Sequence, residues 1–209
     1  LQEWGWRARA SEEGYRGFSL RWRPPAPGSY RVSVELTTHG LRAEKSFGYP
    51  LASVALVYYS RTGTTKRLAE KLAEGLKLRN LVVEVHEIKV KKEYGKPLHL
   101  NPRLIADTFK GRADIQLDFD PCKYSVIILA CPIWAGRPAA PAAAFLRFLA
   151  EKCPGKPVAC LTTSLSRSDY SARLADLARR LGLKVVFRGS APRGEPAFRL
   201  DELAKALQM

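Results

Sequence analysis

The chain has 209 residues, with 35 Lys and Arg against 20 Asp and Glu, and a net charge of +15. Its 46% hydrophobic content supports a packed core and sets intrinsic disorder aside, and no apolar run reaches the roughly 18 to 20 residues of a membrane-spanning helix. The cysteines Cys122, Cys131, Cys153 and Cys160 form no CxxC pair and His39, His86 and His99 are scattered, which argues against a zinc ribbon, a thioredoxin-type redox pair, a dense disulfide framework or another metal site.

The length suits one α/β domain with an appendage, or two small domains. No amino-terminal stretch has the apolar core of a signal peptide, so a cytoplasmic protein is expected. The only methionine is Met209, which suggests a trimmed chain or a piece of a longer one. Asn and Gln are sparse while Arg, Leu and Ala abound, a lean toward a heat-adapted source.

The chain divides near Pro50. Residues 1–49 read as an all-β segment: a small sheet, or the end of an immunoglobulin-like sandwich. The runs Trp4 to Ala10, Gly17 to Arg23, Ser29 to Thr37 and Leu41 to Phe47 are rich in β-branched and aromatic residues and are separated by turn formers. In the third run Tyr30, Val32, Val34 and Leu36 alternate with polar residues, the period of a half-buried strand, and the third and fourth runs are expected to form a hairpin. So short a segment buries little alone, which makes it a candidate for self-association into a homo-oligomer. Trp4 and Trp6 are read as core or interface aromatics rather than a binding patch.

Residues 51–209 change period. Val54 to Tyr59 is a continuous apolar run, as in a strand buried on both faces. A helix is predicted over Thr64 to Arg79, with Leu68, Leu72 and Leu76 on one stripe and Asn80 as the left-handed residue ending it. Leu81 to Ile88 reads as an edge strand. Lys89 to Pro121 is basic and weakly periodic, with a short helix over Leu104 to Lys110. Buried strands follow at Tyr124 to Ala130 and Lys156 to Thr162, and a fifth at Leu183 to Arg188. Helices are predicted over Ala139 to Glu151, Asp169 to Leu181 and Leu200 to Leu207. Alternating strands and helices predict an α/β fold, a five-stranded parallel sheet with right-handed crossovers and helices on both faces.

In such sheets ligands bind beyond the carboxyl ends of the strands. The first loop there, Ser60-Arg61-Thr62-Gly63-Thr64-Thr65, places hydroxyls and a glycine at a helix amino terminus, where free amides and the helix dipole favour an anion. It is equally readable as a plain helix cap. The second, Cys131-Pro132-Ile133-Trp134-Ala135-Gly136-Arg137-Pro138, offers a tryptophan as a stacking plate for a planar ring. Cys131 itself reads as a buried, inert thiol. The third, Thr162-Thr163-Ser164-Leu165-Ser166-Arg167-Ser168-Asp169, can cover the ring's other side. The first loop lacks both the triphosphatase lysine motif and GxGxxG.

With these residues in view, the chain from Val54 to Leu207 resembles the flavodoxin-like fold proteins: short-chain flavodoxins and related flavin mononucleotide oxidoreductases. Ser60-Arg61-Thr62-Gly63-Thr64-Thr65 matches the family's [ST]-x-T-G-x-T phosphate motif. Tyr124 to Gly136 with Pro141, Phe145 and Leu146 looks like its second flavin loop and following helix, and Gly155 to Thr163 like its fourth strand and third loop. The resemblance implies strand order 2-1-3-4-5 and FMN as cofactor. Ser60, Arg61, Thr62, Gly63, Thr64 and Thr65 would hold its phosphate. Pro132, Ile133, Trp134, Ala135 and Gly136 would flank the ring, and Thr162, Thr163 and Ser164 would line its other edge. It implies no catalytic acid or base. Leu165 and Ser166 stand where the family usually carries glycines, and the charge is opposite in sign to that of acidic electron-carrier flavodoxins.

The expected function is therefore an FMN-dependent redox protein, a carrier or a reductase, passing electrons or hydride from a reduced donor such as NAD(P)H to an acceptor the sequence does not name. Arg61, Arg137 and Arg167 suit a dinucleotide phosphate or an anionic redox partner protein, or are plain solvated surface. Two readings compete. One is a flavin-free module binding another phosphate ligand; the other is a polyanion-binding protein, suggested by Lys89 to Lys92 and Arg179-Arg180. No nucleic-acid module accompanies that charge, so nucleic acid is not the expected partner.

Overall fold

A computed structural model describes residues 53–79, 81–91 and 101–208 with their side chains, and residues 28–36 and 41–49 as backbone strands. Strands β1 (Gly28–Leu36) and β2 (Leu41–Tyr49) pair antiparallel from Gly28↔Tyr49 to Leu36↔Leu41, which is a hairpin. The runs Trp4 to Ala10 and Gly17 to Arg23, the pair Trp4 and Trp6, the boundary at Pro50 and the helix-ending Asn80 lie outside the described residues.

The remaining elements alternate. They are β3 (Ser53–Tyr58), α1 (Thr64–Lys77), β4 (Val82–Glu87), β5 (Lys89–Val90), α2 (Pro102–Lys110) and β6 (Ile115–Gln116). After a 3-10 turn at Pro121–Lys123 come β7 (Val126–Trp134), β8 (Arg137–Pro138), α3 (Ala140–Lys152), β9 (Pro157–Ser164), α4 (Ser171–Arg180), β10 (Lys184–Pro192) and α5 (Leu200–Leu207). The central sheet runs β4-β3-β7-β9-β10, all parallel. Counted among themselves in chain order, these strands stand 2-1-3-4-5. The expected α/β sheet is the one found.

The apolar runs explain both faces. Val54, Leu56 and Tyr58 point to one side and pack with Leu68, Leu72 and Leu76 of α1 and Leu203 and Leu207 of α5. Ala55, Val57 and Tyr59 point to the other, against Phe145, Leu146 and Leu149 of α3 and Leu174 and Ala178 of α4. Each fully buried leucine of the α1 stripe contributes about 1.5 to 3 kcal/mol. The register sets Tyr58 between Glu87 of β4 and Ala130 of β7 at the carboxyl edge.

Two differences from the sequence-based boundaries matter. Strand β7 extends to Trp134 and turns back into β8, so the expected second loop is a β-hairpin. Strand β10 extends to Pro192, paired with Ser164. A disulfide, Cys122–Cys153, closes the opposite end of the sheet, joining the turn before β7 to the residue after α3. The Lys156 ammonium donates to the Cys122 and Tyr124 carbonyls there, at 3.1 and 2.8 Å. No local signal pairs these two cysteines, which 31 positions separate.

Candidate functional site

The site is built at the carboxyl edge of β3, β7 and β9. Strand β3 ends with the Tyr59 amide donating to Ala130 O (3.1 Å), and the chain then turns through Ser60–Gly63 into α1. Gly63 has φ +85°, the left-handed region, which suits glycine. Its amide donates to Ser60 Oγ at 3.1 Å. The first intrahelical bond runs from Arg67 N to Gly63 O, so the amides of Thr64, Thr65 and Lys66 precede the ladder. No side chain caps this helix and no acidic residue stands in its first turn. Helix α2 is different, because Asn101 Oδ1 accepts from Leu104 N there at 3.1 Å. In the Ser60–Thr65 turn the one side-chain contact to this backbone is that of Ser60 to the Gly63 amide, and the amides at the positive end of the α1 dipole precede the helical ladder.

The hydroxyls of this turn divide by role. Thr65 is buried and its Oγ1 lies 2.8 Å from Thr163 Oγ1, which joins the turn to β9. It therefore fixes the loop rather than offering a group to solvent. Ser60 keeps its O–H for donation while accepting from Gly63. Thr62 is exposed, and Arg61 and Thr64 are half-buried.

The second segment is more rigid than a loop. Parallel pairing of β7 with β9 continues to Pro132↔Thr163. The chain then finds an antiparallel partner in β8, with Ile133↔Pro138 and Trp134↔Arg137 in register. Ala135 (φ +45°) and Gly136 (φ +72°) form the two-residue turn, both with positive φ, as a type I′ hairpin requires. The Arg173 guanidinium of α4 donates to Gly136 O and holds the turn. Trp134 is half-buried, with its ring set edge-on to Tyr59 at 5.6 Å and 85°. The tryptophan thus stands at a strand end with its orientation fixed, where the sequence suggested a free loop.

The third segment splits. Thr162 and Thr163 are buried strand residues, and Thr162 Oγ1 lies 3.4 Å from Ser190 Oγ. Ser164 is half-buried and its hydroxyl donates to Ser166 O at 2.7 Å; Ser166 Oγ accepts from Ser168 N at 2.9 Å. These bonds shape the turn and leave Leu165 89% exposed. Asp169 anchors its far end. Oδ1 accepts from the Ser171 amide (2.8 Å), the Ser171 hydroxyl (2.6 Å) and the Ser190 hydroxyl, and Oδ2 accepts from Arg188 at 2.9 Å. Burial pushes this carboxyl up, but the serine hydrogen bonds and the Arg188 charge outweigh it and bring it to about 2.

A fourth segment was not apparent in the sequence. Strand β10 ends in a turn where Arg193 (φ +54°) and Gly194 (φ +88°) both have positive φ. A Cβ on Gly194 would lie 3.0 Å from Thr64 Cγ2, so this turn abuts the Ser60–Thr65 loop. Arg193 N donates to Ser164 O at 2.6 Å, and Lys71 on α1 pairs with Glu195 at 3.3 Å. Pro192-Arg193-Gly194 after an apolar strand was the available signal. Tyr59 and Arg173 were likewise unreadable as site residues, since both act through partners distant in sequence.

The remaining nucleophiles are not part of this edge chemistry. Cys131 is fully buried and burial raises its thiol well above the ordinary range, while burial pushes Cys160 up to about 12. Both are inert at neutral pH. A cleft of about 260 Å³ lies beside the third segment, lined by Arg167, Asp169, Arg188 and Phe198. Among the described residues no cluster of His, Cys, Asp or Glu has the arrangement of a metal site, and no helix is long and apolar enough to cross a membrane.

No protein-family profile and no curated protein match the chain. Solved structures do. A flavoprotein of Lactobacillus acidophilus, crystallised in complex with FMN, is 27% identical over 68% of this chain and 93% of its own, with a TM-score of 0.56. The flavodoxin of Megasphaera elsdenii, solved in its two-electron reduced form, is 20% identical over 74% of this chain and 98% of its own, with a TM-score of 0.50. At that identity the second shows the fold alone. The 2-1-3-4-5 sheet, the glycine-bearing turn into α1 and these likenesses show that the described residues from 53 onward have the flavodoxin-like fold.

Proposed function

We propose that this domain binds FMN at the carboxyl edge of its sheet and works as an electron carrier. One observation carries the reading: α1 opens on a left-handed glycine with no side-chain cap, so its first amides have no side-chain partner and suit an anion. The FMN complex of the 27% identical flavoprotein supports the choice of ligand. The residues fit the group. The amides of Thr64 and Thr65 and the hydroxyls of Ser60, Thr62 and Thr64 suit a phosphate. Arg61 adds positive charge, and Gly63 keeps the backbone in the turn. Pro132, Ile133, Trp134, Ala135 and Gly136 form a stiff wall for a planar ring. Ser164 stands opposite, with Thr162 and Thr163 supporting it from within β9.

When bound, FMN supplies the electron-transfer chemistry itself. The chain's part is to bind, orient and exclude water. The proposed contact side chains are hydroxyls, apolar groups and one guanidinium, and no acid or base is assigned among them. The donor is proposed to be NAD(P)H or a partner protein. A cytoplasmic setting belongs to the same proposal. The Cys122–Cys153 disulfide fits that setting in a heat-adapted cell, where intracellular disulfides are common.

Titrating the purified chain with FMN tests the reading. Quenched flavin fluorescence with one-to-one stoichiometry and dithionite-bleachable absorbance are expected. A colourless protein that leaves FMN fluorescence unchanged would leave only the phosphate-module reading. Rapid bleaching of the loaded protein by NADPH would make it a reductase rather than a carrier.

A further inference from the structure

We infer that the carboxyl edge of the sheet is a docking surface for an acidic protein. Its role as an electron donor or acceptor rests on the FMN reading above; the binding itself does not. The topology brings to this one edge the connections that follow β3, β7, β9 and β10. Each carries an arginine: Arg61, Arg137, Arg167 and Arg193. The last three are exposed and Arg61 is half-buried. These positions are far apart in sequence and meet only because the strands are parallel.

Two of the acidic groups near this ring are paired with cations. Asp169 is paired with Arg188 at 2.9 Å and Glu195 with Lys71 at 3.3 Å. Glu87, at the end of edge strand β4, accepts a hydrogen bond from the Tyr58 hydroxyl and offsets one of the four arginines. The edge therefore presents net positive charge to an approaching molecule, which steers an acidic partner and repels a basic one.

The shape favours a protein over a dinucleotide. Leu165 projects from the third segment, 89% exposed, and Phe109 of α2 stands 57% exposed beneath the Arg137 guanidinium at 4.9 Å. Projecting apolar side chains among cations are the anatomy of a protein interface, with an apolar anchor inside a charged rim. A dinucleotide phosphate would require convergent groups in a concave cleft. The four arginines instead stand on four separate connections, one of which also carries the exposed Leu165.

The test uses the full chain, with and without bound FMN, and a fluorescently labelled acidic [2Fe–2S] ferredoxin as the probe, against a basic cytochrome c. The ferredoxin is expected to bind at low salt and to weaken at least ~10-fold as the Debye length shortens from ~20 to ~6 Å. Arg137→Glu with Arg167→Glu should weaken it at least ~10-fold further at low salt and leave the FMN spectrum unchanged. Leu165→Asp should weaken it as well. The control pair Arg179→Glu with Arg180→Glu, at the far end of α4, should bind as the unmodified chain does.

Equal loss in the control pair would assign the effect to overall charge and overturn the inference. So would equal binding of cytochrome c, or displacement of the ferredoxin by NADPH. If FMN fails to bind while ferredoxin binding follows the arginines, the flavin reading falls and the docking surface stands. The converse result removes the docking surface alone.

Discussion

Asp169 shows how much one side chain can organise. Its carboxylate ties α4, β10 and the third segment together through Ser171, Ser190 and Arg188. Because its folded pKa is held to about 2, below the ordinary ~3.9, it stabilises the fold above about pH 4 and that support is lost as pH falls through about 2. The carboxylate is 54% exposed, so solvent screening limits its contribution to about 1 kcal/mol. Urea midpoints of Asp169→Asn and the unmodified chain should therefore differ at pH 6 and converge near pH 2. A difference unchanged by pH would assign the effect to packing. Ala135 makes the opposite case. It occupies a positive-φ position that costs an L-residue about 1 kcal/mol, and it precedes Gly136 in a type I′ turn. Ala135→Asn creates the favoured Asn-Gly pair and should raise stability by about 0.5 to 1 kcal/mol, read as a higher Tm.

Among the elements, α1 opens on the turn proposed to hold the phosphate. Gly63 has φ +85°, and a Cβ there would also meet Arg67 Nη1 at 3.4 Å. Gly63→Ala should cost about 1 to 2 kcal/mol by strain and weaken FMN binding at least ~10-fold by displacing the amides. Helical content by circular dichroism should be unchanged, because the Leu68–Leu72–Leu76 stripe that holds α1 is untouched. Equal FMN affinity in this variant would show that the turn does not hold the phosphate. The hairpin of β7 and β8 illustrates a limit of periodicity. Cys131 to Pro138 carries two prolines, a glycine and no alternation, so it reads as a loop. It is a strand because β9 offers it hydrogen bonds as far as Thr163 and β8 then takes over. Strand pairing is a long-range interaction, and local propensity yields to it.

For the whole molecule, the disulfide and the charge distribution act at opposite ends of the sheet. Cys122 and Cys153 close a segment at a separation of 31 residues, which restricts the unfolded chain by about 3 kcal/mol. Replacing both by serine should lower Tm by roughly 6 to 12 °C and leave FMN affinity unchanged, since the pair lies at the amino ends of the strands. Thiol titration of the denatured, unreduced chain should find two free groups of the four cysteines, those of Cys131 and Cys160. Four would remove the disulfide and with it this prediction.

The sequence by itself determined the layers, the strand and helix alternation, and the glycine-bearing turn into α1, because those signals are local. Val54 to Tyr59 has to be buried on both faces, the α1 leucines fall on one stripe, and Ser60-Arg61-Thr62-Gly63-Thr64-Thr65 is contiguous. Leu200–Leu207 was legible to the residue for the same reason. Only the tertiary structure decided which hydroxyls face solvent, that Thr65 bonds Thr163, that Trp134 stands edge-on to Tyr59, and that the turn at Arg193 and Gly194 joins the site. It also decided the Cys122–Cys153 pairing and the gathering of arginines at one edge. Each of these depends on residues tens of positions apart being brought together by the order of strands, and no local pattern encodes that order.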